Sequence, residues 1–151
     1  MKPLSFFFFF LFMSVLVFSQ DQKRQAAFNL QNGIAVQGYD LVAYFTQSKA
    51  VKGNAANTVY HQGVKYQFAN AANKEKFKSN PSKYEPQYGG WCAYAMGASG
   101  EKVEVDPETF KIINGHLYLF YNKLFNNTLR AWNKDEVSLK SKADVNWAKI
   151  Y

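Results

Sequence analysis

Phe110-Lys111-Ile112-Ile113-Asn114-Gly115-His116-Leu117-Tyr118-Leu119-Phe120-Tyr121 reads as two β-forming runs joined by a two-residue turn. Asn-Gly suits that turn, because a tight hairpin needs positive φ at both central positions. In the second run Leu117 and Leu119 share one face, Tyr118 and Phe120 the other. Both faces are apolar, so the strand is expected to be covered on both sides, with His116 at its head partly buried. Earlier in the chain, Thr58-Val59-Tyr60-His61 meets Val64-Lys65-Tyr66-Gln67-Phe68 across Gln62-Gly63. A helical pattern follows each hairpin: Ala71 to Phe77, ending before Pro81, and Leu124 to Trp132. A last helix is expected from Asp135 to Ile150, with Val137, Leu139, Ala143, Trp147 and Ile150 as packing residues. The fold class is therefore α+β, small antiparallel hairpins packed against short helices.

At one constant offset Gly63 falls on Gly115, Tyr66 on Tyr118, Phe68 on Phe120 and Asn70 on Asn122. Either a strand-strand-helix unit is duplicated or two hairpins merely look alike.

Lys2 followed by the apolar run Leu4 to Phe18 has the order and length of an export signal, with cleavage expected after Ser19. The run is short for a bilayer span, so no membrane-spanning segment is expected after cleavage. Residues 1–19 are then the signal peptide, 20–32 an N-terminal arm or short helix, and 33–151 a single domain. The expected location is the bacterial periplasm or the exterior. Of the 151 residues, 18 are Lys or Arg and 11 Asp or Glu, a formal charge of +7. The basic residues are interspersed with acids, as in Lys74-Glu75-Lys76-Phe77-Lys78, which points to a solvated surface and not to nucleic acid.

Several phrases in order resemble the secreted branch of the YHS-domain family. They are Gly38-Tyr39-Asp40-Leu41-Val42-Ala43-Tyr44-Phe45, Tyr66-Gln67-Phe68-Ala69-Asn70 and Asn80-Pro81-Ser82-Lys83-Tyr84-Glu85-Pro86-Gln87-Tyr88-Gly89-Gly90. Cys92-Ala93-Tyr94-Ala95, Asp106-Pro107, Gly115-His116-Leu117-Tyr118-Leu119 and Ala143-Asp144-Val145-Asn146-Trp147 continue the series. The resemblance implies a small YHS-like domain over 33–151 and a link to heavy-metal handling. Where the family's metal-binding versions carry cysteines, this chain has Ala43 and Ala69. Neither can coordinate a metal, so that site is not carried over.

Cys92 is the single cysteine, and in an oxidising compartment it has no partner for a disulfide. Three readings stand: a packed core residue, a ligand for copper or another soft metal, or a reactive thiol. If a helix begins at Trp91, Cys92 and Met96 lie one turn apart on one face and form a soft donor pair, with His116 as the third ligand. His61 flanks the first turn and is expected to share a face with Val59, Tyr66 and Phe68. Tyr39, Asp40, Tyr88 and Trp91 flank glycines and are candidates to line a small-ligand pocket. Glu101, Glu104, Asp106 and Glu108 alternate with apolar residues as on a solvated strand edge, and Gly97-Ala98-Ser99-Gly100 reads as a turn. The function expected first is an exported, non-enzymatic binding protein for a soft metal. A metal-free interaction or small-ligand module comes second and a thiol-dependent enzyme third.

Overall fold

The computed structural model describes residues 20–151; the expected signal peptide, 1–19, lies outside the described residues. The fold is α+β, with short helices and small, mostly antiparallel strand pairs. Residues 20–27 are helical (α1) and lead into β1 (Leu30–Gln31) and β2 (Ile34–Ala35). The segment expected as an arm is thus built into the fold: Arg24, Ala27, Phe28 and Asn29 are buried. After a tight turn at Val36–Gly38 come α2 (Leu41–Thr46), β3 (Asn54–His61), β4 (Val64–Phe68), α3 (Ala71–Ser79) and α4 (Pro81–Tyr84). A second tight turn, Gln87–Gly90, precedes α5 (Ala93–Ala98), β5 (Asp106–Ile113), β6 (His116–Phe120), β7 (Asn122–Lys123), β8 (Asn126–Asn127), α6 (Thr128–Trp132) and α7 (Glu136–Trp147). The sheets are β1-β2-β4-β3, with β2 and β4 parallel, then β5-β6, then β7-β8. No helix among the described residues is long and apolar enough to cross a membrane.

The offset seen in the hairpins extends through a whole turn-helix-hairpin unit. Val36, Gln37 and Gly38 have φ of 48, 52 and 79°, and Tyr88, Gly89 and Gly90 have 56, 60 and 84°. Each turn is followed by a six-residue helix, α2 or α5. Asp40 N–H donates to Val51 O at 2.8 Å, and Cys92 N–H to Val103 O at 2.9 Å. The hairpin registers also correspond: Asn54↔Phe68, Thr58↔Gln67 and His61↔Val64 in one, Asp106↔Phe120, Phe110↔Leu119 and Ile113↔His116 in the other. Both carry an irregularity at the same place, between Asn54 and Thr58 and between Asp106 and Phe110. A side-chain oxygen supports each: Asn54 Oδ1 accepts Asn57 N–H three residues on, and Asp106 Oδ1 accepts Glu108 N–H in an Asx turn. Even the parallel bridge Ile34↔Lys65 has its counterpart in Pro86↔Leu117. The resemblance is therefore one supersecondary unit used twice, not two hairpins that happen to look alike.

Each unit places an aromatic ring from the following helix on its hairpin. Phe77 lies 4.7 Å from Tyr66 and 5.0 Å from Phe68, and Trp132 lies 5.8 Å from Tyr118 and 5.5 Å from Phe120, between ring centroids. One apolar cluster gathers the first unit around Leu41, Val42, Tyr66, Phe68 and Phe77, and it also takes in Cys92, Leu117 and Leu119. The other gathers Tyr88, Met96, Tyr118, Phe120 and Trp132 with Leu139 and Ala143 of α7. β6 is thus buried on both faces, as its sequence predicts.

Four expectations are corrected. Gly97 and Ala98 belong to α5, and only Ser99-Gly100 follow it as a turn. Leu124 and Phe125 are not helical; they form the turn of the β7-β8 hairpin, and α6 begins only at Thr128. Val137 is 85% exposed, because α7 turns the faces of Leu139 and Ala143 inward. His116 is exposed, because the strand enters the core only after the Asn114-Gly115 turn has cleared the surface.

Candidate functional site

Asp40 and Cys92 occupy corresponding positions, each immediately before its unit's short helix. The Asp40 carboxylate is fully buried. Its Oδ1 accepts from Val42 N–H at 2.9 Å and Ala43 N–H at 3.2 Å, which caps α2. Its Oδ2 accepts from Ala69 N–H at 2.9 Å and from the Asn73 side-chain amide at 2.8 Å, which ties β4 and α3 to the same point. A buried charge is tolerated here because every donor facing it is a good hydrogen-bond partner. The two alanines that stand where the resembled family has cysteines thus lie beside one carboxylate. Asp40 is a structural cap with its lone pairs engaged.

Cys92 makes the corresponding strand tie with sulfur. Tyr121 N–H, the counterpart of Ala69 N–H, donates to Sγ at 3.4 Å. Thr128 Oγ1 lies 3.4 Å from Sγ and donates its own proton to Tyr121 O at 2.9 Å, which leaves its lone pairs for the thiol S–H. The residue is fully buried and makes no side-chain cap to its own helix.

The other proposed metal ligands do not meet it. Cys92 has extended backbone (φ −59°, ψ 116°) and precedes α5, so the helical spacing that would align it with Met96 does not apply. Met96 points into the second cluster, with Tyr118 and Trp132, while Cys92 belongs to the first. His116 is exposed and hydrogen-bonds Gln87 through Nδ1 at 3.3 Å. His61 faces the edge of Phe77 at 6.2 Å. Cys92, Met96 and His116 therefore do not form a donor set that fits a soft metal. Among the described residues no cluster of three or more His, Cys, Asp and Glu side chains is arranged to hold one.

The candidate pocket residues also separate. Tyr39 and Trp91 are counterparts on the two units. Tyr39 donates its hydroxyl to Glu108 at 3.2 Å under Lys52, and Trp91 donates its indole N–H to Ala27 O at 2.7 Å. Tyr88 is buried against Tyr118 and donates to Asp144 of α7 at 2.9 Å. Burial, with that hydrogen bond added, raises its phenol well above the usual tyrosine range.

A cleft of about 320 Å³ opens beside Cys92, lined by Tyr94, Ala95, Ala98, Val103, Tyr121 and Thr128, with Ser99, Glu101 and Asn126 at its polar positions. Its volume is that of a small-molecule site, and its mix of aromatic, apolar and sparse polar groups is what such sites use. In the first unit the Asn73 side chain reaches Asp40 at the corresponding place. In the second, β7 and β8 intervene before α6, and the hydroxyl of Thr128 replaces that amide. Val103, Tyr121 and Thr128 escape sequence reading because no local pattern links them. Carrying the hairpin offset upstream pairs Asp40 with Cys92 and points to this position. No family model matches the chain, and no curated protein or solved structure matches it.

Proposed function

We propose that the protein is an exported, non-enzymatic binding protein that holds a small ligand, without a metal, in the cleft beside Cys92. The observation that carries this reading is the cleft itself, an aromatic-lined recess at the one place where the two units differ in how the cap is closed. Export rests on the Leu4 to Phe18 run, and burial of Cys92 shields its unpaired thiol in an oxidising compartment. The ordered phrases shared with the secreted YHS branch support a binding role, and Ala43 and Ala69 in place of cysteines favour its metal-free form. An enzymatic thiol would need a neighbouring base; the Cys92 hydrogen bonds run instead to Thr128 and to a backbone N–H.

The test is a fragment screen by ¹H–¹⁵N NMR on the protein and on Ala98→Trp, which fills the cleft from its exposed end. Shifts clustered at Tyr94, Val103 and Tyr121 that vanish in the variant are expected. Hits scattered over the surface and unaffected by the variant would remove the cleft as the site. In parallel, Cu(I) titration of the protein and of Cys92→Ser should give equally weak binding. Tight binding that depends on Cys92 would replace this reading with the metal one.

A further inference from the structure

The described residues close four hairpins with two-residue turns, and one departs from the rest. Asn32-Gly33, Gln62-Gly63 and Asn114-Gly115 have φ of 52 and 75°, 47 and 77°, and 51 and 77°. Leu124-Phe125, between β7 and β8, adopts the same left-handed pair at 50 and 68°. Glycine takes this conformation without steric cost, whereas a leucine followed by a phenylalanine pays at both positions. Neither side chain recovers that cost by packing: Leu124 is 90% exposed and Phe125 107%. The hairpin is also absent from the first unit, where α3 follows β4 directly. A strained, solvent-facing apolar pair on an added element is the pattern of a contact surface kept at the expense of stability.

We propose that the Leu124-Phe125 tip docks this protein on an anionic lipid surface by inserting into its headgroup layer. The exposed charges that adjoin the tip in sequence are of the required sign. The nearby acids, Asp106 bonded to Asn122 and Glu101 in the cleft with Asn126, lie at the base of the hairpin and in the cleft. Lys123 at the hairpin and Arg130 on α6 are exposed, and neither forms an ion pair with any described residue. The chain as a whole carries +7. Interfacial binding combines apolar insertion with attraction to anionic headgroups, and it needs no complementary pocket. A protein partner fits less well. A specific protein interface surrounds its apolar centre with roughly 800 Å² of matching surface per side, but the tip is flanked by Lys123, Asn126 and Asn127. The other large exposed apolar side chains, Tyr60, Val137, Val145 and Tyr151, lie on other elements.

The experiment is co-sedimentation of residues 20–151, which hold both cores, with vesicles of phosphatidylcholine alone or mixed with phosphatidylglycerol. The key variant is Leu124→Asn/Phe125→Gly, which installs the turn used between β5 and β6 and therefore folds. Binding to the anionic vesicles is expected, falling on the order of 100-fold in the double variant. Lys123→Gln should weaken it by roughly 5-fold, with a shallower salt dependence. Absence of binding to anionic vesicles overturns the proposal, and so does equal binding by the double variant, which would be bulk charge attraction. A self-association that the double variant abolishes, without vesicle binding, would likewise overturn it and make the tip an interface between copies.

Discussion

The two units share a backbone but solve the same junction differently. In the first, the Asp40 carboxylate gathers a helix N-terminus, the end of a strand and the Asn73 amide. In the second, Cys92 holds only the strand through Tyr121 N–H and touches Thr128. A carboxylate with two oxygens can serve several donors at once, while a thiol offers one weak acceptor and one weak donor. The first junction is closed by that difference, and the second leaves a cleft. A repeated scaffold thus closes the junction in one copy and leaves it open in the other.

The units are nonetheless one cooperative body if the shared strand works as its burial indicates, and alkaline unfolding tests this most severely. Burial raises the phenols of Tyr44 and Tyr66 in the first unit and Tyr88 in the second above their usual value, with Glu85 adding to Tyr66 and Asp144 to Tyr88. A raised folded value means the unfolded chain releases the proton first. The stability contributed is whole below about pH 10 and is lost as pH rises beyond it. Three such groups predict a fall of roughly 4 kcal/mol per pH unit above that point. Circular dichroism against pH should show one transition for both units, because Leu117 and Leu119 of the second lie in the cluster of the first. Two separate transitions would break the picture.

The junctions come next. Asp40→Ala strands Ala69 N–H and the Asn73 amide in the interior and should cost about 3–5 kcal/mol. Cys92→Ala should cost only about 1 kcal/mol, since it removes weak bonds beside an open cleft. Denaturant melts of the two variants check the ratio, and equal costs would mean that the two junctions hold their units equally.

Helix α5 offers a third contrast. A Cβ at Gly97 would lie 2.4 Å from Leu139 O, so the glycine is what lets α7 approach. Its counterpart on α2 is Phe45, which instead packs edge-on against Tyr84 at 5.4 Å. Gly97→Val should destabilise by about 3 kcal/mol through overpacking against backbone. Thermal melting that leaves the protein unchanged would mean α7 yields easily.

The smallest effect is a gain. Leu124→Asn/Phe125→Gly should stabilise the chain by about 1 kcal/mol, because it relieves two left-handed side chains without removing buried contacts. A loss of stability on denaturation would show that the exposed tip packs in solution.

Hairpins, the two-sided burial of β6 and the α+β class follow from the sequence because they depend on neighbours in the chain. Alternation places Leu117 and Tyr118 on opposite faces, and Asn114-Gly115 sets the turn whatever surrounds it. Leu124-Phe125 departs from its local pattern for the same reason: its apolar residues suit a helix locally, and only pairing of Asn122 with Asn127 and Lys123 with Asn126 shows the turn. The candidate site is legible only in part. Cys92 stands out by being alone, but alignment with Met96 requires helical backbone where the chain is still extended.

By itself the sequence determined the local hairpins, the offset at which they look alike and the oddity of one unpaired cysteine, all properties of short segments and counts. Tertiary structure alone decided that Asp40 is saturated while Cys92 borders a cleft, and that His116 faces solvent. Those outcomes depend on what packs across the chain from Asn73, Tyr121, Thr128 and Gln87, distances that no local pattern encodes.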